Sequence, residues 1–209
     1  TRLSYFLWGS MPDEELFEMA SKGQLQNPTY LRNKVLCMLS DKRTSEFSER
    51  FVEQWLGTRE LGRNVQPDTN LFPTYATAEL KAAIRYEPIL FFQDVLAGGR
   101  SLLELIDSDF TFLNRTLQEH YRFGIEKLRQ HQTRIKLPEN SERGGVVTMA
   151  AVLAVSSYPH RTSPVLRGKW VLENLLGTPP PPPPPNVPEL EEDHAKVSAT
   201  SLRERLEAH

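Results

Sequence analysis

The sequence predicts an all-α protein in which two helical subdomains pack together, with a polyproline segment and at most a short strand pair. Two observations lead to this fold class. Apolar residues recur at helical spacing in one segment after another, and most of these segments begin at a residue that caps helices well. Stretches in which apolar and polar residues alternate, as in half-buried strands, are nearly absent. With 209 residues, 39 % of them hydrophobic, the chain is long enough to bury a sizeable core.

The first subdomain, residues 1–98, is predicted to open with three helices. The apolar run Leu3 to Trp8 indicates a helix that begins as if the chain were a fragment cut from a longer polypeptide. Ser10 is expected to cap the second helix, and Asn27 the third, where Pro28 takes the first helical position. Cys37 lies in the third helix between apolar neighbours, and it is expected to be a small core residue.

Two further helices complete this subdomain. The first starts at Thr44 and carries three aromatic residues expected to anchor the core: Phe47, Phe51 and Trp55. Residues 60–73 contain turn residues without a helical period and are predicted to form a loop. Thr74 is expected to cap the longest helix. Pro88 lies inside that helix, where it removes a backbone donor and is expected to kink or split it.

The second subdomain, residues 99–188, is predicted to follow the Gly98-Gly99 pair. Asp109 is expected to cap a helix that runs through Tyr121. Residues 132–137 alternate apolar and polar side chains and form the one plausible strand. Gly145 ends a tight turn before a helix over residues 146–155, whose alanines leave room for close packing.

The last helix of this subdomain is predicted to start at Ser163, with Pro164 at the first position. Gly168 has no side chain on the face that the helix shares with its apolar residues, so a close approach to residues 144–156 is expected. Seven consecutive prolines follow from residue 179. Such a run favours a polyproline II rod about 20 Å long. Residues 189–209 are predicted to start a following domain.

Composition excludes several functions. The 25 basic and 27 acidic residues give a formal net charge of −2, which argues against a nucleic-acid partner. No apolar run approaches the roughly 18 residues that a transmembrane segment needs. Cys37 is the single cysteine, and the histidines occur singly, so no metal site is predicted. No catalytic motif is present, which leaves open whether the chain is part of an enzyme.

Arg161 and Arg167 flank the predicted start of the last helix. Guanidinium groups match carboxylates in a two-pronged geometry. Two interpretations follow: an internal clamp onto an acidic residue of a neighbouring helix, which we favour, or a site for a carboxylate or a cofactor propionate. If a redox site forms here, Trp170 is a third candidate for binding the cofactor.

Several blocks of sequence carry a resemblance to a known family. They are Arg2 to Ser10, Pro12 to Leu16, Gln54 to Leu56, Pro67-Asp68, Phe72-Pro73, Tyr75, Asp109 to Asn114, His120-Tyr121, Arg143 to Gly145, Thr148, Ser157 to Pro159, Arg161 to Pro164, Arg167-Gly168, Trp170 and Leu172 to Pro188. In these blocks the chain resembles the cytochrome-c-associated proteins of unknown function found in planctomycetes and related bacteria. The resemblance covers nearly the full length and spans two consecutive uncharacterised helical domains.

The resemblance implies more than the residues alone. It identifies six residues as structural motif positions: Asp109, Asn114, Gly145, Ser163, Pro164 and Gly168. It also implies that residues 189–209 lead into a C-terminal domain with a Cys-x-x-Cys-His haem site. This chain alone is then expected to bind no cofactor, and its partners are neighbouring haem-c domains of the same polypeptide. A periplasmic or otherwise extracytoplasmic location follows by resemblance only.

Three hypotheses for function remain. The leading one is a non-catalytic helical scaffold that docks haem domains for electron transfer. The second is a haem-dependent redox enzyme whose site forms with the haem domain, lined by Arg161, Arg167 and Trp170. The third is a protein–protein interaction module without a redox role. The sequence does not determine the oligomeric state.

Overall fold

The computed structural model describes residues 1–124 and 128–182. In this part of the chain the fold is mostly helical, with a two-stranded antiparallel sheet, as the sequence predicted. The end of the proline run and the predicted following domain, residues 189–209, lie outside the described residues.

The first four helices are α1 (Arg2–Trp8), α2 (Glu14–Ser21), α3 (Pro28–Leu39) and α4 (Thr44–Trp55). Asn27 caps α3 as predicted, because its side chain accepts a hydrogen bond from the backbone of Thr29. The cap of α2 is Asp13 and not Ser10: the Asp13 carboxylate accepts from the Leu16 N–H at 3.0 Å. A carboxylate at this end of a helix is also favoured by the helix dipole.

The face of α3 that points inward differs from the one expected. Cys37 is exposed, and the buried residues of α3 are Lys34 and Met38. Lys34 can be buried because its ammonium group lies 2.7 Å from the Glu15 carboxylate. The prediction that Cys37 is a core residue was therefore wrong.

The aromatic residues of α4 line the edge of the core and do not fill its centre. Phe51 is 41 % exposed, and Phe47 and Trp55 are half-buried. Trp55 donates its indole N–H to the carbonyl of Asn174 at 2.7 Å. The expectation that these rings anchor the core is therefore corrected, since each keeps one side in solvent.

We expect Trp55→Ala to lower the free energy of unfolding by about 2 kcal/mol. A fully buried tryptophan typically costs about 3–5 kcal/mol on truncation, and a half-buried one loses less apolar contact. Urea denaturation followed by circular dichroism measures the loss. Phe51→Ala on the same face is the control and should cost about 1 kcal/mol; equal losses for both would contradict the difference in burial.

The longest helix, α5, spans Ala78–Ala97. Its cap is Thr77, which accepts from the Leu80 N–H, and not Thr74, which lies in a 3-10 turn at Pro73–Ala76. Pro88 remains inside a continuous helix, so the predicted split does not occur. Most of one side of α5 is buried, and this helix contacts α4 before it in the chain and β1, α6 and α7 after it.

Strand β1 (Phe110–Leu113) pairs antiparallel with β2 (Thr133–Lys136), with Phe110 opposite Lys136. The strand predicted over residues 132–137 is confirmed. Asp109 does not cap a helix, because its carbonyl accepts from the Leu137 N–H at 2.7 Å and so extends the pairing.

Helix α6 (Arg115–Tyr121) follows β1 directly. Its cap is Asn114, whose side chain accepts from the Leu117 N–H at 2.9 Å. The helix predicted from Asp109 therefore starts later, after the strand.

The last two helices are α7 (Ala150–Val155) and α8 (Pro164–Trp170), and α8 continues into a π-helical turn at Val171–Leu175. Helix α7 is shorter than predicted, because Val146–Thr148 form a 3-10 turn and Met149 is extended. Ser163 caps α8 with Pro164 at its first position, as predicted.

Helix α8 is attached to the core by a different residue from the one expected. A side chain at Gly168 would meet nothing within 4 Å, so the predicted close approach at this glycine was wrong. Trp170 is buried instead, and its indole N–H donates to the carbonyl of Leu56 at 2.9 Å. The C-terminal end of α8 is therefore hydrogen-bonded to the C-terminal end of α4.

The central core draws side chains from both sides of Gly98. Val52 and Phe91 pack in the same cluster as Phe110, Val152 and Trp170. The division into domains at residue 98 stays a prediction. Within residues 1–124 and 128–182, no helix combines the length and the apolar character needed to cross a membrane.

Candidate functional site

A pocket of about 240 Å³ lies where α5, α6 and α7 meet two loops. One loop contains Pro67 and Phe72, and the other contains Tyr158 and Arg161. The loops are joined, because the Asp68 N–H donates to the carbonyl of Pro159 at 2.9 Å. The pocket walls are mainly apolar, and among residues 1–124 and 128–182 no acidic residue lines them.

A buried polar network lies behind the pocket wall that Tyr121 forms. Thr111 donates its hydroxyl to one carboxyl oxygen of Glu87 at 2.8 Å, and the Tyr121 hydroxyl donates to the other. Tyr121 in turn accepts from the Ala150 N–H at 2.8 Å. Glu87 is 1 % exposed, so these hydrogen bonds replace its hydration.

The environment changes the acidity of both groups. Burial raises the pKa of Glu87 to about 7, although the hydrogen bonds from Tyr121 and Thr111 and the charge of Arg143 act in the opposite direction. Burial, and then the neighbouring Glu87, raises the pKa of Tyr121 well above its ordinary value. Tyr121 therefore stays protonated, and Glu87 gains or loses its proton near neutral pH.

Arg143 places a positive charge at the pocket. Its guanidinium lies 3.7 Å from the ring centroid of Tyr121, and one nitrogen donates to the carbonyl of Thr148 at 2.6 Å. Desolvation and the charge of Arg143 lower the pKa of His120, which lies at the pocket rim. In the part of the chain that the structure describes, no carboxylate is within ion-pair distance of Arg143.

The three residues predicted to bind a cofactor are not brought together. Arg161 lines the pocket, with its guanidinium 4.4 Å from the ring centroid of Tyr158. Arg167 donates to the hydroxyl of Ser157 at 3.4 Å. Trp170 lies in the central core. Their role in cofactor binding stays a prediction.

The internal clamp that we favoured is not seen at Arg167. Among residues 1–124 and 128–182, no carboxylate lies within ion-pair distance of this guanidinium, and its buried Nε has no hydrogen-bond acceptor. The partner of Arg167 is a neutral hydroxyl, so the arginine is held by the turn before α8 and not by an acidic residue of another helix.

The residues identified as structural motif positions have separate local roles. Asn114 caps α6, Asp109 extends the sheet, and Ser163 with Pro164 starts α8. Gly145 adopts a left-handed φ of 63° beside the carbonyl groups of Leu105 and Ile106. None of these motif residues lines the pocket.

Sequence reasoning missed Glu87 and Thr111. A signal for Glu87 was present, because Ile84, Glu87 and Phe91 share the helical spacing of one buried face. A carboxylate at such a position predicts a buried acid with polar partners. The described residues contain no cluster of side chains that could hold a metal ion.

Two family models match the sequence. Residues 1–123 match PSD4, described as a protein of unknown function (DUF1592). Residues 143–209 match PSCyt3, also described as a protein of unknown function (DUF1588). The search of curated proteins found no significant match, and neither did the search of solved structures.

Both matches confirm the resemblance to cytochrome-c-associated uncharacterised domains. The two matched segments also meet at the pocket. His120 and Tyr121 belong to the first segment, and Arg143, Tyr158 and Arg161 belong to the second. All five occur in the blocks that carry the resemblance. The pocket wall is therefore built largely from residues by which the chain resembles this group of proteins.

Proposed function

Because this chain belongs to the PSD4 family (DUF1592), we propose that it is a non-catalytic helical scaffold that docks a c-type cytochrome domain for electron transfer. In this proposal the chain is part of a larger, extracytoplasmic protein. The name PSCyt3, carried by the family model that matches residues 143–209, supports a cytochrome partner. Haem would come from that partner, because covalent attachment through two thioethers needs two cysteines and the chain has one.

The observation that carries this proposal is a row of aromatic rings on the surface of α1 and α4. We call Phe6, Phe47, Phe51 and Trp55 the aromatic ladder. Successive ring centroids are 5.1, 5.7 and 5.7 Å apart. Phe6 is 65 % exposed and Phe51 is 41 % exposed. Aromatic residues are enriched where proteins bind other proteins, whereas scattered apolar residues on a surface need no explanation.

The chemistry of the ladder suits a c-type cytochrome. The exposed haem edge of such a domain is apolar, so the exposed aromatic rings of the ladder can cover it. Redox partners bind through small, transient interfaces. A short ladder backed by the buried ring of Phe92, 5.1 Å from Phe51, provides a firm surface of that kind.

We expect the double substitution Phe6→Ser and Phe51→Ser to weaken binding of a single-haem c-type cytochrome by tenfold or more. Both side chains lie on the surface, so the fold should persist. Titration calorimetry at moderate salt measures the dissociation constant, and haem-edge chemical shifts report where the chain binds.

The matched control is Leu102→Ser with Leu103→Ser. These leucines are 71 % and 76 % exposed and lie in the turn after α5, outside the ladder. The control should bind as the wild type does. If the ladder variant also binds like the wild type, or if the wild type does not bind, the docking proposal is wrong.

A second candidate function is part of a haem-dependent redox enzyme whose site forms with the cytochrome domain. The pocket favours it, since Arg143 offers a charge there, and Glu87, which titrates near neutral pH, is bonded to the lining residue Tyr121. A Soret band that responds to peroxide in the assembled protein, and loses that response in Arg143→Gln, would support the enzyme. An interaction module without a redox role would bind its partner with no spectral change.

A further inference from the structure

The pocket beside Arg143 is independent of the aromatic ladder, and it has the features of a ligand site. We propose that it binds a small aromatic carboxylate, with the carboxylate paired to Arg143 and the ring against the apolar walls. This inference does not depend on a cytochrome partner.

The shape and lining of the pocket set the size and polarity of the ligand. Its volume of about 240 Å³ lies below the roughly 300–1,000 Å³ of sites for drug-sized ligands, so it suits a single ring system. Phe72, Tyr75 and Tyr158 contribute rings to the lining, and Leu153 and Ala154 of α7 contribute aliphatic surface. A flat apolar ligand therefore finds contacts on several sides.

The charge of the pocket selects an anion. Arg143 uses one nitrogen for the carbonyl of Thr148, and its remaining N–H groups have no acceptor among residues 1–124 and 128–182. The nearby carboxyl of Glu87 is occupied by Thr111 and Tyr121. A guanidinium with free donors beside apolar walls can pair with a carboxylate through charge-assisted, two-pronged hydrogen bonds.

The guanidinium is also held in place before a ligand arrives. It stacks on the ring of Tyr121 and is fixed at its other side by Thr148. Tyr121 cannot swing away, because it bonds to Glu87 and to the backbone of Ala150. Little conformational entropy is then lost on binding, which is the usual advantage of a preorganised site.

The test compares benzoate with benzamide, which has the same shape and no charge. Titration calorimetry of the 209-residue chain with each compound gives the two dissociation constants. We expect benzoate to bind at least tenfold more tightly than benzamide. In Arg143→Gln the two compounds should bind equally, and thermal melting monitors whether this variant folds.

A second variant leaves Arg143 in place. Ala154→Leu adds bulk to the wall of the pocket and should weaken both compounds by tenfold or more. The proposal is overturned if the wild type binds neither compound, if it does not prefer benzoate, or if the preference survives in a folded Arg143→Gln variant. Because this experiment contains no cytochrome, its outcome does not depend on whether the docking proposal is correct.

Discussion

Gly145→Ala is expected to lower the free energy of unfolding by at least about 3 kcal/mol. Gly145 has φ 63° and ψ −178°, a backbone region that only glycine adopts without strain of about 1–3 kcal/mol. A Cβ atom there would overlap the carbonyl of Ile106 and lie 2.7 Å from the carbonyl oxygen of Leu105. Both obstacles are backbone, so neither can rotate away.

Gly168→Ala is the matched control for this substitution. Gly168 lies within α8, and a side chain there meets nothing within 4 Å. Alanine stabilises a helix by about 1 kcal/mol relative to glycine, so Gly168→Ala should be at least as stable as the wild type. Chemical denaturation of the three proteins measures the effect. A loss below about 1 kcal/mol for Gly145→Ala would show that the 105–106 turn moves easily.

The position of Gly145 also explains how the chain places Arg143. Gly144 lies against the carbonyl of Ser108, where a Cβ would approach to 2.9 Å. The two glycines therefore let this segment run close beside residues 105–108. Thr148 then closes the turn by bonding to Gly144, while its carbonyl holds Arg143. A substitution at Gly145 is therefore expected to displace Arg143 in the pocket as well as to disturb the core.

The sequence predicted elements whose signals are local. Asn27 before Pro28 and Ser163 before Pro164 mark helix starts that the structure confirms. The error at Asp109 arose because Phe110–Leu113 pair with a strand some twenty residues away, and a helical pattern of apolar residues does not reveal such a partner. Thr74 and Thr77 are both suitable caps; the structure uses Thr77 and buries Tyr75 in the turn before it.

The candidate site was only partly predictable for a similar reason. Arg161 was identified from its place before α8, and it does line the pocket. The role of Arg143 depends on the ring of Tyr121, which precedes it by about twenty residues and meets it only in the folded chain. Trp170 was expected near a site because of its neighbours in sequence, but the turn of α8 directs it to Leu56.

Glu87 is expected to make the stability of the protein depend on pH between about 4.5 and 7. Its pKa is raised from the ordinary 4.5 to about 7 because burial disfavours the charged carboxylate. Between these values the folded protein holds a proton that the unfolded chain has released. The stability contributed by Glu87 is therefore fully present below about pH 4.5, and it is lost as the pH rises through 7.

Glu87→Gln removes this titration and keeps the shape of the side chain. The amide can still accept from Tyr121 and donate to Thr111. The stability of the wild type relative to this variant should fall by about 3 kcal/mol from pH 4.5 to pH 8. Asp13 and Asp41, whose pKa values are lowered, act in the opposite direction but are present in both proteins and cancel in the difference.

Glu79→Gln on the exposed side of the same helix is the control for removing a carboxylate from α5. Denaturation curves at matched ionic strength from pH 4.5 to pH 8 give the three profiles. If the difference in unfolding free energy between wild type and Glu87→Gln does not change with pH, Glu87 ionises in the folded protein with its ordinary pKa, and the prediction is wrong.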